Sequence, residues 1–255
     1  MKSCGKCAAC RTGNGHICPN LVFLGIDAPG SMQGLWCVPV ECVIPVPASV
    51  PLRDATLVEP TAVAVHDVER AGVTSGEKCV VVGGGPVGLL IALVARVRGA
   101  DVTVVEPDNE RRSFAASFGL STLDPGRVDV ADYARDWTAG AGTDVSFEVS
   151  GSAEGVSTAV GVLRVRGRLC LVAIHATPRE IDLHQFFWRE LSLVGARLYT
   201  EADFHRSVAL IAAHKIPVGD FVSHIVPMSE VADAFATLKA GGVMKILVDC
   251  QAASS

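Results

Sequence analysis

The sequence predicts an α/β fold: a parallel sheet doubly wound with helices on both faces, plus a smaller β-rich lobe built from both chain ends. Three observations predict it. From Cys79 to His214, short apolar strand-like runs alternate with helical patterns, and such alternation builds a parallel sheet with helices on both faces. At Cys79–Gly88 a β-branched run stops at a glycine cluster and an apolar helical pattern starts. The tail, Ile216–Cys250, breaks the alternation and is expected to fold back onto the first segment. The expected divisions are 1–60, 61–215 and 216–255.

The glycine cluster carries the most chemistry. Its glycines fall as G-x-G-x-x-G at Gly83, Gly85 and Gly88, between a strand and a helix. The first permits a tight turn, the second a close backbone approach to phosphates, and the third tight helix–strand packing. Uncapped N–H groups and the positive helix end would face an anion. A purely structural glycine turn is the plain alternative. Glu106 ends the next strand, about twenty residues on, where this fold places a ribose-binding acid. Its carboxylate accepts from ribose hydroxyls and repels a 2′-phosphate, favouring NAD over NADP. Arg111 and Arg112 follow closely and could tolerate that phosphate.

Composition excludes several classes. With 49% hydrophobic residues the 255-residue chain can bury a large core, and a net charge of −5 gives no general attraction to nucleic acid or anionic membrane. The uncharged run Cys79–Ala95 contains Pro86 and glycines, so strand–turn–helix explains it better than a membrane span. Met1 leads directly into polar, cysteine-rich sequence, so no signal peptide is expected and the expected location is cytoplasmic.

Cys4, Cys7, Cys10 and Cys18 are spaced C-x2-C-x2-C-x7-C with small residues between them. Four thiolates close a tetrahedral zinc shell with no open position, which predicts a structural site. Two disulfides or incidental cysteines are the alternatives. His16, inside this loop, is expected at the surface. Asn20–Pro51 reads as irregular β structure, with a strand-like piece at Glu41–Val46 and with Cys37 and Cys42 buried. A helix is expected over Leu52–Gly72, with Pro60 in its first turn, Glu59 at its mouth and His66 packed inside. In the tail, Val222–Val226 and Met244–Val248 read as strands, and Ser229 as the cap of a helix to Lys239. Ala252–Ser255 should fray.

Taken together, CGKCAACRTGNGHICPN, LVEPTAVAVHDVERAGV, VVVGGGPVGLLIALVARVRGA, VVEPDNERR, FEVSGS, DLHQFFWRELSLVGARLYT and VPMSEVADAF resemble, in family order, the zinc-dependent medium-chain dehydrogenase/reductases of the polyol, butanediol and threonine dehydrogenase branch. The resemblance implies a Rossmann-type sheet, a GroES-like catalytic lobe, and reversible hydride transfer between a secondary alcohol and NAD. It implies a small alcohol or polyol substrate and a homo-oligomer, dimer or tetramer, paired at sheet edges near Leu191–Val194. It adds Pro86, Val87, Val172 and Ile174 to the cofactor-binding set of Gly83, Gly85, Gly88, Glu106 and Arg111. It places Glu59 beside a catalytic zinc, His175 where it could approach the nicotinamide, and Tyr199 on the substrate side; a plain loop histidine is the alternative for His175. The family also carries a cysteine ligand and a Gly-His-Glu motif ahead of the four-cysteine lobe. Here Cys4 lies three positions after Met1. The expectation is therefore an N-terminally truncated form, with a structural zinc at Cys4, Cys7, Cys10 and Cys18, an incomplete catalytic zinc site, and exposed apolar surface that promotes association. A catalytically inactive NAD(H)- and zinc-binding remnant is the second reading. A methyltransferase, which also uses a glycine-rich turn, is disfavoured by the cysteine lobe.

Overall fold

The computed structural model describes residues 1–251, so the expected fraying of Ala252–Ser255 lies outside the described residues. The chain divides into two compact units, Met1–Ala62 with Leu198–Ser255, and Val63–Arg197.

The first unit opens with the cysteine lobe, whose short helix α1 (Ala8–Arg11) starts at Cys7. Lys2 and Val22 exchange backbone hydrogen bonds of 2.9 Å and close the lobe. Beyond it the expected β structure reduces to isolated bridges, Lys2 with Val22 and Leu24 with Ala28. The strand-like piece at Glu41–Val46 instead begins with a 3-10 turn, Val40–Cys42. Prolines at 39, 45 and 47 remove the donors that a ladder needs there. Cys37 is exposed and Cys42 only half-buried, against the expected burial of both. The helix expected over Leu52–Gly72 is two helices, α2 (Leu52–Ala55) and α3 (Val58–Arg70). Pro60 sits in the first turn of α3, where its missing N–H costs nothing. Gly72, at φ +62°, ends the run.

The second unit holds a six-stranded, wholly parallel sheet in the order β3-β2-β1-β4-β5-β6. Its elements follow the expected alternation: β1 (Lys78–Val82), α4 (Pro86–Val97), β2 (Asp101–Val105), α5 (Asn109–Ser117), β3 (Ser121–Leu123), α6 (Val130–Trp137), β4 (Thr143–Glu148), α7 (Ala153–Gly161), β5 (Leu163–Leu171), α8 (Leu183–Arg189) and β6 (Ser192–Gly195). Helix α8 has no counterpart in the sequence reading, since its aromatic run is too short for a helical period to show. Local chemistry sets the starts. Asp108, Asp129 and Ser152 each accept the N–H three residues on, at 2.9, 2.9 and 2.8 Å. The core packs Val80, Val82, Val105 and Leu169 of the strands against Val130, Ala134, Ala159 and Val160 of α6 and α7. Strands buried on both faces read as unbroken valine runs, as Val80–Val82 does. Strand order reverses between β1 and β4, the place where such a sheet leaves a crevice at its carboxyl end.

The chain returns to the first unit at Leu198, earlier than the expected boundary after 215. The reason is α9 (Glu201–Ala212), which packs on α2. Its Ser207 hydroxyl donates to the Val58 carbonyl at 2.7 Å. A reciprocal Thr200–Asp203 capping box starts this helix. The tail then forms a parallel pair, β7 (Val222–Pro227) and β8 (Lys245–Asp249), linked by α10 (Val231–Ala240). Ser229 is not the cap of α10: Ser229 lies in a preceding 3-10 turn and Glu230 holds the cap position without a side-chain bond. The Arg53 guanidinium donates to the Val222 carbonyl at 3.0 Å, tying the tail to the first segment. Among the described residues, no helix is long and apolar enough to cross a membrane.

Candidate functional site

Two groups of residues can bind, one in each unit. In the second, β1 ends at the glycine turn. Gly83 adopts φ +114°, and a Cβ on Gly88 would stand 1.9 Å from the Gly83 carbonyl oxygen. Only glycine at 88 lets α4 start this close to the turn. Helix α4 begins at Pro86 without a side-chain cap, so its first N–H groups, Val87 and Gly88 among them, have no side-chain acceptor. A cleft of about 650 Å³ opens beside the turn, lined by Gly83, Gly85, Glu106, Arg111, Ser150 and Ser152 among others. A Cβ on Gly85 would meet nothing within 4 Å, so the backbone there stays open to an approaching group.

Glu106 is 5% exposed at the wall of this cleft. One oxygen of its carboxylate accepts the Gly84 N–H at 2.6 Å and the other the Asp108 N–H at 2.9 Å. A Cβ on Gly84 would fall 2.9 Å from the Glu106 side chain, so Gly84, which the fingerprint leaves unspecified, is what lets the acid lie on the turn. Arg112 turns away: it donates to the carbonyls of Glu106 and Pro107 at 2.7 and 2.6 Å and pairs with Asp124 at 3.1 Å. The structure thus gathers Gly83, Gly85, Glu106 and Arg111 around one cleft. Pro86, Val87 and Gly88 begin α4 behind it. Val172 and Ile174 follow β5 and do not line it, and Ile174 is 96% exposed.

Sequence reasoning missed Glu148, at the carboxyl end of β4. It is fully buried, and one oxygen accepts the Ser150 N–H, the Ser150 hydroxyl and the Gly151 N–H at 2.9, 2.6 and 2.9 Å. The signal was an acid closing an apolar strand run in VSFEVSGS, the same signature that identified Glu106 in VTVVEPD.

In the first unit, the sulfurs of Cys4, Cys7, Cys10 and Cys18 all lie within 4.8 Å of one another. Cys7 approaches Cys10 at 3.4 Å and Cys18 at 3.7 Å, and Cys4 approaches Cys10 at 4.0 Å. Disulfides are excluded by these separations. A tetrahedral zinc with ligands at about 2.3 Å needs sulfurs about 3.8 Å apart, so the residues fit that ion. The Cys10 and Asn20 N–H groups donate to the sulfurs of Cys7 and Cys18 at 3.4 and 3.3 Å, as thiolates require. The Lys6 and Cys7 N–H groups bring the Cys4 thiol down to about 6. His16 is half-buried beside this cluster rather than at the open surface.

Glu59 stands apart from the four sulfurs. Glu59 is exposed by area, yet the protein around it desolvates the carboxyl and pushes it above the ordinary carboxylate value, against the Lys245 charge and a hydrogen bond from Tyr199. Burial and the Glu59 charge in turn raise the half-buried Tyr199 phenol. Tyr199 lines a cleft of about 360 Å³ with Ser3, His16, Thr200 and Phe204.

The family model described as zinc-binding dehydrogenase matches residues 86–213. The chain is 45% identical over 250 residues to the 2-dehydro-3-deoxy-L-galactonate 5-dehydrogenase of Pseudoalteromonas atlantica, covering 98% of this chain and 73% of that protein. It is 30% identical to the sorbitol dehydrogenase of Halalkalibacterium halodurans, covering 96% and 73%. A solved structure of a protein described as a zinc-binding dehydrogenase from Sinorhizobium meliloti 1021, bound to NADP, superposes with a TM-score of 0.90 at 28% identity, over 97% of this chain and 74% of that one. The chain belongs to the zinc-binding dehydrogenase family.

Proposed function

We propose that this chain binds a nicotinamide dinucleotide in the switch-point cleft and serves hydride transfer to and from a secondary alcohol carbon of a small polyol or sugar-derived acid. The observation that carries this reading is the cleft itself: a glycine turn closed by Gly88, an uncapped helix start, and a buried acid on the wall. The first N–H groups of α4 hold the pyrophosphate. Glu106 accepts from the ribose hydroxyls. When bound, the dinucleotide supplies the acceptor for a hydride leaving the alcohol carbon, while the hydroxyl proton goes to solvent and the alcohol becomes a ketone. The substrate class follows the relatives named above, whose names denote a sugar acid and sorbitol.

The dinucleotide is NAD. A buried carboxylate at the ribose opposes a 2′-phosphate, and Arg112, engaged by two carbonyls and Asp124, does not offset it. The solved relative with NADP supports the other choice, and Arg111 is the residue that would serve it. The four cysteines hold one structural zinc, whose closed shell leaves no position for substrate. Glu59 and Tyr199 face the substrate side. The chain works as a homo-oligomer: β6 is an edge strand, and Leu193 on it and Leu183, Phe187 and Trp188 of α8 are exposed.

Fluorescence titration with NADH and NADPH, with metal analysis of the same preparation, tests the reading. NADH should bind at least tenfold more tightly than NADPH, with one tightly held zinc per chain in the cysteine lobe. NADPH preferred over NADH would reassign the pocket to Arg111. Zinc retained by a chain with Cys4, Cys7, Cys10 and Cys18 all replaced by serine would contradict the metal assignment. Oxidation of sorbitol or a related polyol by NAD separates a working dehydrogenase from a protein that only binds the dinucleotide.

A further inference from the structure

Glu148 does more than close β4. Its carbonyl accepts the N–H groups of Val172 and Ala173 at 3.0 and 3.1 Å, at the start of the loop after β5. Its second carboxylate oxygen meets His175 Nε2 in the same loop at 2.9 Å. Arg179 Nε donates to His175 Nδ1 at 3.4 Å, and Arg179 Nη2 donates to the Gly151 carbonyl at 3.0 Å. Gly151 N–H returns to Glu148 at 2.9 Å. Glu148, His175, Arg179 and Gly151 therefore form a closed ring that joins the loop after β4 to the loop after β5.

The partners fix the imidazole. Nδ1 accepts from a guanidinium, so Nε2 carries the proton and donates to Glu148. The ring also has a definite place in the sheet. β1 to β3 form one mononucleotide half, with the glycine turn and Glu106; β4 to β6 form the other. Ser150 and Ser152 of the first loop line the cleft. Beside His175 in the second loop, Ile174 is 96% exposed, an apolar surface that a planar ligand ring would cover.

We infer that His175 is a positioning residue for the nicotinamide half of the dinucleotide: it fastens the loop carrying Val172 and Ile174 to the loop carrying Ser150, through Glu148 on one ring nitrogen and Arg179 on the other. This inference rests on the dinucleotide reading of the cleft. It assigns His175 to holding the wall rather than to touching the reacting atoms. The adenosine half lies on the other side of the switch point, so losing the ring weakens the whole dinucleotide and spares its adenosine diphosphate portion.

The test compares NADH and ADP as ligands for wild type, His175→Ala, His175→Gln and Arg179→Ala. Loss of the ring in His175→Ala should weaken NADH about tenfold and change ADP by less than about twofold. His175→Gln offers an amide N–H to Glu148 and a carbonyl to Arg179, and should return NADH affinity to within about threefold of wild type. Arg179 is exposed, so Arg179→Ala keeps the test available if His175→Ala does not fold; it should weaken NADH about threefold and leave ADP unchanged. Equal losses of NADH and ADP would mean a merely structural histidine and overturn the inference while leaving the cleft assignment standing. So would unchanged NADH binding in both alanine variants, or a glutamine variant as weak as alanine. A wild-type chain that binds neither ligand overturns the cleft assignment and the inference with it.

Discussion

Asp144 shows how a single side chain anchors the foot of the sheet. Its carboxylate accepts the Lys78 N–H at 2.8 Å and Arg164 Nε at 2.6 Å. Partial burial works against ionisation, but these two donors and the nearby arginines outweigh it and hold the acid below its ordinary value of 3.8. The folded chain thus gives up this proton at a lower pH than the unfolded chain does. The stabilisation is full above about pH 4 and disappears as pH falls through the lowered value. Asp144→Ala should cost about 2 kcal/mol at pH 7 in urea unfolding, with the difference from wild type shrinking below pH 4. Gly88 makes the opposite case, of a residue whose worth is the absence of a side chain. Gly88→Ala would force its Cβ onto the Gly83 carbonyl, costing about 3 kcal/mol and NADH binding together, as melting and titration of one sample would show. At this scale the sequence was most informative where chemistry needs a fixed spacing. The four cysteines and the three glycines stood out for that reason. Gly84 and Glu148 did not, because their roles depend on what lies across the turn rather than on their neighbours in sequence.

The elements divide along the same line. Valine-rich strands and capped helices of the second unit followed from period and composition, since a strand buried on both faces has no polar residue to blur it. In segment 20–51 the valines suggest short strand-like pieces of irregular β structure, but the prolines among them remove so many pairing donors that only isolated bridges form. The cysteine lobe depends little on apolar packing, with Cys18 its one buried residue. On the metal assignment proposed above, zinc bound by the four cysteines supplies most of its order. Chelation, or Cys10→Ser, should release the lobe to proteolysis within residues 1–22 while the thermal transition of the sheet moves by less than about 3 °C. Sheet melting in parallel with zinc loss would show the metal supporting more than its lobe. The edge strand β6 makes a separate prediction. Leu193→Lys, with Trp188→Glu on α8, should shift the chain toward monomer in sedimentation velocity. An unchanged species distribution would place the subunit contact elsewhere.

Across the whole molecule, the chain's two ends share one unit and the middle forms the other, so a linear sequence yields a sheet-based binding module and a lobe assembled from distant segments. The fold class was legible because strand–helix alternation is a repeated signal. The return at Leu198 was not, because α9 continues that alternation in sequence while packing on α2. The central claim remains the dinucleotide in the switch-point cleft. A crystal structure of the chain grown with NADH tests it most directly. The account predicts pyrophosphate density at the N–H groups that open α4, with the adenosine ribose hydroxyls on Glu106. Ordered NADH bound anywhere else, or Glu106 still turned wholly to Gly84 and Asp108 with no ribose beside it, would contradict it.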